Sequence, residues 1–273
     1  MRIHNLNLIT IHLTRAEGQL TAYNKPVNAE TISRLNQLNA EFYQTFAQHF
    51  SGTRLRLQPG VAKILKDLPP DLHLLDLGCG NGELAHALSQ QGFAGCYTGL
   101  DSSEALLVIA RQRIAGGFPA DFIQADLSAA GWENELQQAS DPRLRPLYDG
   151  ILAFAVLHHL PGWEARQQVL HQVHSLLSSH GRFIHSEWQF LNSPRLRGRL
   201  QPWEAIGLSS ADVDPGDYLL DWRQGGYGLR YVHHFSFSEL QELAAWTGFQ
   251  ISETFHSDGA GGNLGLYQVW LRV

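Results

Sequence analysis

The sequence has little of what several large classes of protein require. Its only two cysteines, Cys79 and Cys96, belong to no C-x-x-C pair, which excludes a disulfide framework and favours a reducing compartment. No apolar run approaches the roughly 20 residues that cross a bilayer. The N-terminus also lacks a basic and then apolar signal pattern. We therefore expect a soluble, cytoplasmic protein.

Lysine is scarce as well, because 17 of the 20 basic residues are arginine, and the net charge is −6. An acidic chain has no global positive field to attract nucleic acid. A GC-rich genome is sufficient to explain most of the arginine bias. The window 193–199 nevertheless concentrates three arginines (Arg195, Arg197 and Arg199) without an acid, and arginine suits phosphate contacts.

The apolar pattern divides the chain into three parts. Residues 1–28 form an N-terminal extension without a firm assignment, and helical spacing predicts helices over 29–48 and 58–68 in an N-terminal segment, 29–70. From residue 71 to the end at 273 we predict one domain. In it, strands at 72–78, 96–101, 121–127, 148–155 and 181–188 alternate with helices, which indicates a parallel sheet covered on both faces.

The last third of this domain has a different pattern. After a Trp- and Gly-rich insert, 190–231, which we expect to be irregular, a helix is predicted at 236–247. Two strands, 249–256 and 264–271, flank a Gly-rich turn, so the last strand should be antiparallel. The predicted fold is α/β, with a doubly wound, mostly parallel, Rossmann-like sheet of seven strands, an antiparallel last strand and N-terminal helices.

A glycine-rich turn follows the first strand in "LLDLGCGNGEL" (74–84), where a backbone can approach a ligand closely. A dinucleotide fingerprint needs G-x-G-x-x-G, but this loop reads G-x-G-x-G. Asp76 and Glu83 would also repel a pyrophosphate, whereas S-adenosylmethionine (SAM) carries a sulfonium and an ammonium group that acids attract. The loop residues that we assign to the cofactor are Gly78, Gly80, Asn81 and Gly82.

Further acids follow the next two strands, at the sheet edge where open α/β folds bind ligands. Asp101 ends the second strand, where a carboxylate can accept hydrogen bonds from both ribose hydroxyls, and Ser102 follows it. Asp126 ends the third strand and can accept from the adenine amino group, while Leu127 can stack on the ring. Helix capping alone is the alternative role of these acids.

Four motifs in this order resemble the class I SAM-dependent methyltransferases: "DLGCGNG", "GLDSS", "QADL" and "AVLHHL", within 72–188. Two further segments resemble one branch, the tRNA wobble-uridine carboxymethyl methyltransferases. They are "FYQTFAQHFSGTRLRLQPGV" (42–61) and "GDYLLDWRQGG" followed by "LRYVHHFSFSELQEL" (216–243). The resemblance implies SAM as cofactor and, as activity, methyl esterification of the carboxymethyl group on the wobble uridine of tRNA. It also implies, for some members, a small zinc-binding activator protein as a partner.

A carboxylate acceptor is already ionised near neutral pH, so it needs donors to hold it rather than a strong base. The candidates for the acceptor site are His158, Trp222, Arg230, Tyr231 and His233. Arg54 and Ala155 complete the cofactor candidates. If the acceptor is instead a hydroxyl or an amine, His158 becomes a plausible general base.

The pair His158–His159 follows the fourth strand, and neighbours on extended chain point in opposite directions. We therefore expect His158 to face the acceptor and His159 to be turned away. The histidines do not predict a metal site, because there is no HExxH motif and no cysteine pair.

Two other functions stay open at this point. The chain could methylate a small metabolite, with the insert 190–231 as a lid, or it could be a SAM-binding regulator without catalytic activity. The "LRYVHHFSF" segment favours the tRNA enzyme over the first alternative, and the acids Asp76, Asp101 and Asp126 argue against the second.

Overall fold

The computed structural model describes residues 26–52, 56–114, 118–139 and 147–273. Its helices and strands follow in chain order: α1 (Ala29–Gly52), α2 (Pro59–Lys66), β1 (His73–Leu77), α3 (Glu83–Gln90), β2 (Cys96–Asp101), α4 (Glu104–Arg113), β3 (Ala120–Gln124), β4 (Tyr148–Phe154), α5 (Trp163–Leu176), β5 (Leu177–Trp188), α6 (Pro194–Arg197), β6 (Leu200–Gln201), β7 (Asp217–Trp222), β8 (Gly228–His233), α7 (Phe237–Trp246), β9 (Phe249–Ser257) and β10 (Gly265–Arg272). Among these described helices, none has the length and apolarity needed to cross a membrane.

The main sheet has seven strands in the order β3-β2-β1-β4-β5-β10-β9. The five strands β3, β2, β1, β4 and β5 run parallel to one another, and β10 runs antiparallel to both β5 and β9. The predicted fold is therefore confirmed, including the antiparallel last strand. Apolar residues on both faces of β1, such as Leu74 and Leu75, are fully buried because helices cover each side.

The insert 190–231 was expected to be irregular, and this expectation is wrong. Its strands β6, β7 and β8 form a second, antiparallel sheet in that order. Leu220 and Val232 bury one face of it against Phe190. A methyl group at Gly228 would lie 2.5 Å from a ring carbon of Phe46, so glycine at this position allows α1 to pack on the sheet.

The helix α1 begins where Asn28 caps it, since the Asn28 side chain accepts a hydrogen bond from the Thr31 N–H at 2.7 Å. It presents Phe42 and Phe46 at helical spacing to Trp222 of β7. The N-terminal helix is thereby joined to the second sheet, and both border the same edge of the main sheet.

Candidate functional site

A cavity of about 500 Å³ lies at the carboxyl ends of the parallel strands. It is lined by the loop after β1, the ends of β2, β4 and β5, and residues of α1 and β8. This position agrees with the rule that open α/β sheets bind ligands beyond the carboxyl ends of their strands.

The glycines of the loop after β1 have two different roles. Gly78, Gly80 and Gly82 all have positive φ angles, of 67°, 56° and 72°. A methyl group at Gly78 would lie 2.7 Å from Val156, and one at Gly82 would lie 2.8 Å from Ala110, so these two glycines allow close packing. A methyl group at Gly80 would meet nothing within 4 Å, so Gly80 faces open space in the cavity.

Two carboxylates stand beside this loop. Asp76 is buried and accepts a hydrogen bond of 2.5 Å from the hydroxyl of Tyr97. The pKa of Asp76 is raised to about 7, mainly by burial and to a smaller extent by the nearby Asp101, against the lowering effect of the Tyr97 hydrogen bond. The carboxylate of Asp101 accepts from the backbone N–H groups of Gly80 at 2.9 Å and Ser103 at 2.8 Å, which fixes its orientation toward the cavity.

These residues fit SAM. Its sulfonium and ammonium are cations, and neither Asp76 nor Asp101 has a basic side chain within ion-pair distance in the described part of the chain. A carboxylate oxygen that already accepts one N–H can still accept a ribose hydroxyl, because each oxygen has two lone pairs. The open space at Gly80 leaves room for a ligand against the backbone.

The other predicted cofactor residues are near the same loop, with one exception. Ser102, Asp126, Leu127 and Ala155 line the cavity, and so does Asn81, whose side-chain amide donates to the Ser51 hydroxyl at 2.8 Å. Asp126 lies two residues beyond β3, where its carboxylate accepts from the Ser128 N–H and hydroxyl. Arg54 lies outside the described residues.

The two histidines after β4 lie on a 3₁₀ turn, Leu157–His159, rather than on extended chain. Ala155 starts this turn with a φ of 61°, a strained value for a residue other than glycine. Both imidazoles line the cavity, and their ring centres are 4.4 Å apart. The expectation that His159 turns away is therefore wrong, because the turn places both rings on the same side.

Each ring is held by a different element. The Nδ1 atom of His158 lies 3.1 Å from the carboxylate of Glu187 on β5, and His158 is 1% exposed. The Nε2 atom of His159 lies 2.8 Å from the hydroxyl of Tyr43 on α1. Residues of α1 were not among the predicted site residues, because its helical spacing shows only which face is apolar.

Arg230 on β8 lines the cavity and is only 7% exposed. Its guanidinium carbon lies 4.9, 5.3 and 5.8 Å from the ring centres of Trp188, Phe42 and Trp222. Its buried Nε has no hydrogen-bond partner among the described residues. Among the described residues no carboxylate lies within ion-pair distance of this guanidinium, so its charge suits an anion that enters the cavity.

Three other predicted acceptor residues do not line the cavity. Trp222 lies behind Arg230, and its indole N–H donates to the Gln224 carbonyl at 2.5 Å. The hydroxyl of Tyr231 donates to Asp217 at 2.7 Å, and the Nδ1 of His233 lies 2.6 Å from the same carboxylate. On β8 the side chains of Tyr231 and His233 lie on the face opposite the cavity-facing Arg230, so the pleat of the strand separates these two from the site.

Comparisons with known proteins agree with this geometry. Residues 48–254 match the family model described as a methyltransferase domain, and the chain belongs to that family. It has the class I SAM-dependent fold. A SAM-dependent methyltransferase from Methanosarcina mazei superposes with a TM-score of 0.58 at 21% identity, over 80% of this chain and 99% of the other. One from Mesorhizobium loti gives 0.52 at 18% identity, over 77% and 96%.

The curated relatives are matched over only part of their length. The tRNA (carboxymethyluridine(34)-5-O)-methyltransferase of Macaca fascicularis is 28% identical over 164 residues, which are 60% of this chain and 22% of that protein. The Arabidopsis thaliana enzyme of the same name is 27% identical over 54% of this chain and 31% of its own length. A trans-aconitate 2-methyltransferase of Acidovorax ebreus is 38% identical over 82 residues, 30% of each chain. The chain thus matches less than a third of these relatives' own lengths.

Proposed function

We propose that this protein is a cytoplasmic carboxyl O-methyltransferase that esterifies the carboxymethyl group on the wobble uridine of tRNA. The observation that carries the proposal is Arg230, whose guanidinium lines the cavity and has no carboxylate within ion-pair distance among the described residues. A carboxylate is the acceptor that such a group binds best, because it accepts charge-assisted hydrogen bonds in a planar geometry.

The reaction needs no proton acceptor. SAM supplies an electrophilic methyl group, and the C–S bond breaks with both electrons on sulfur as the acceptor oxygen forms its bond to carbon. The residues have only to orient the acceptor and exclude water, and positioning of this kind can contribute roughly 7–11 kcal/mol. Arg230 would hold one carboxylate oxygen, and His158 would face the other.

A nucleobase acceptor is supported by Trp188. Its ring is half-buried, lines the cavity and lies under the Arg230 guanidinium. An aromatic side chain at this place can stack on a base that is turned out of a loop, which is how single-stranded RNA is commonly recognised. The macaque and Arabidopsis relatives, which are tRNA (carboxymethyluridine(34)-5-O)-methyltransferases, support the same acceptor.

A small tricarboxylic metabolite is the second candidate, since a trans-aconitate methyltransferase is among the relatives. Its carboxylate would use the same Arg230 contact. The two candidates differ in what lies outside the cavity, because only tRNA would reach the exposed arginines of α6.

The test is mass spectrometry of tRNA nucleosides after incubation with SAM, using tRNA that carries carboxymethyluridine at the wobble position. We expect the methyl ester, with the chain alone or together with a small zinc-binding activator protein. Absence of the ester in both arms, with trans-aconitate methylated instead, would reject the tRNA acceptor.

Arg230 should also separate acceptor binding from SAM binding. We expect Arg230→Ala to lower kcat/KM by about a hundredfold or more, as loss of a charged hydrogen bond and the stack on Trp188 implies. Arg230→Lys should recover only part, because lysine lacks the planar fork. The SAM affinity should change little in both, and Arg182→Ala, on an exposed residue of β5, is the control. A large loss of SAM affinity would contradict this role.

A further inference from the structure

Glu187, next to the last residue of β5, is a buried carboxylate in the cavity wall. It is 1% exposed, and its two oxygens face two imidazoles. Oε2 lies 3.1 Å from His158 Nδ1, and Oε1 lies 3.0 Å from His185 Nδ1. Within the described ranges, these two histidines are its only ion-pair partners. Sequence reasoning did not select Glu187, although it lies two residues after His185 on the same face of the strand.

The surroundings of Glu187 favour a proton on this cluster. Burial raises the pKa of Glu187 well above its ordinary value, and the charge of Glu239 on α7 raises it too. The charge of Arg166 on α5 and a hydrogen bond from the backbone N–H of His158 lower it. Burial lowers the pKa of His185 to about 3, so that ring is neutral and donates its Nδ1–H to Oε1. A proton on Oε2 would then lie between Glu187 and His158.

We propose that Glu187 is a positioning residue that shares one proton with Nδ1 of His158 and so makes Nε2 of His158 an N–H donor to the anionic acceptor. The result is the same whether the shared proton resides on Oε2 or on Nδ1, because Nε2 carries hydrogen in both cases. The backbone N–H of Trp188 also donates to Nδ1, at 3.4 Å, so Nδ1 acts as an acceptor there. The cluster thereby distinguishes a carboxylate acceptor from a hydroxyl or an amine, which would need Nε2 as a base.

This arrangement has a defined pH dependence. When the shared proton is lost, Glu187 is ionised, His158 keeps its hydrogen on Nδ1, and the Nε2 lone pair faces the acceptor carboxylate. Among the described residues, the other charged or titratable groups near the two side chains include His159, Arg166, Arg230 and Glu239. The methylation rate should therefore fall as the pH rises, whereas a general-base role of His158 would make it rise.

The inference rests on the proposed function for its kinetic test, which uses tRNA bearing carboxymethyluridine. We expect Glu187→Ala to lower kcat about tenfold or more, with the SAM Kd within about twofold of the unchanged protein. Glu187→Gln should recover most of this loss, since an amide N–H can donate to Nδ1 at every pH. The fall of the methylation rate with rising pH should disappear in this variant. The control Glu253→Gln changes an exposed glutamate of β9 outside the cavity lining and should keep the decline. A Glu187→Gln rate that falls as in the unchanged protein would overturn the proposal.

A second measurement does not need the acceptor. In ¹⁵N-histidine-labelled protein with S-adenosylhomocysteine bound, long-range ¹H–¹⁵N spectra report which ring nitrogen carries hydrogen, and His158→Gln assigns the signal. We expect Nε2 of His158 to be protonated at neutral pH in the unchanged protein and in Glu187→Gln. A bare Nε2 with hydrogen on Nδ1 would overturn the inference even if tRNA is methylated. A protonated Nε2 in a protein that fails to methylate tRNA would reject only the proposed acceptor.

Discussion

At the scale of single residues, we expect Asp76 to couple SAM binding to pH. The pKa of Asp76 is raised by burial to about 7, and a cationic ligand binds best to the ionised carboxylate. We expect the SAM affinity to rise about tenfold between pH 6 and pH 8, with the release of close to one proton. Calorimetry in buffers of different ionisation enthalpy measures both quantities.

Asp76→Asn should remove most of this pH dependence and weaken SAM at pH 8. The matched control is Asp149→Asn, which changes an exposed aspartate on β4 outside the cavity lining. A slope that survives in Asp76→Asn would show that another group takes up the proton.

The acids of the site could be predicted because each follows a strand with a recognisable pattern, and strand ends converge on one edge. The orientation of His159 could not, because it depends on the positive φ of Ala155, which alanine seldom adopts. Glu83 also behaves differently from expectation. It forms an ion pair with Arg113 of α4, so its charge is partly neutralised.

At the scale of elements, α6 presents the basic window found in the sequence. Ser193 caps this short helix and Pro194 begins it. Leu196 is buried with Leu220 and Val232 of the second sheet, which leaves Arg195 and Arg197 exposed. If tRNA is the substrate, replacing both arginines by alanine should reduce the slope of log affinity against log salt by about 1.4. Fluorescence anisotropy with tRNA at several salt concentrations measures this slope.

The double variant Arg182→Ala/Arg272→Ala, which removes two exposed charges from β5 and β10, is the control for α6. Its salt slope should be unchanged, and SAM affinity should be unchanged in both double variants. Equal slopes in the two would contradict a phosphate contact at α6.

The second sheet was missed because its strands do not look like strands in the sequence. β7 and β8 are joined by a run with Gly225 and Gly226, and polar residues within them, such as Asp217, Asp221 and His233, are buried. Burial of these polar groups depends on partners distant in sequence, and no local pattern reveals such partners.

At the scale of the whole molecule, one buried ionic cluster joins α5, α7 and the second sheet. Arg166, fully buried on α5, donates to Asp217 of β7 at 3.3 Å, to the Tyr231 hydroxyl at 2.9 Å and to Glu239 of α7 at 3.3 Å. His233 lies between the two carboxylates. Burial alone would raise the pKa of Asp217, but the His233 hydrogen bond and the Arg166 charge hold it below its ordinary value.

Arg166→Met should lower the free energy of unfolding by about 3–5 kcal/mol, because it leaves buried carboxylates without their cation. Arg182→Met, at an exposed position of β5, should cost about 0–1 kcal/mol. Urea unfolding followed by circular dichroism compares the two. A loss for Arg166→Met no larger than the control would show that the cluster is dispensable.

Different segments of the chain supply the residues that we assign to SAM and to the acceptor. The residues that fit SAM come from 76–127, whereas Trp188 and Arg230, which we assign to the acceptor, come from the end of β5 and the insert that follows it. These two stretches meet in one cavity, and α1 and the turn after β4 complete its wall. Substrate preference can consequently diverge among homologues by exchange of one stretch, while the half that holds the methyl donor is inherited unchanged.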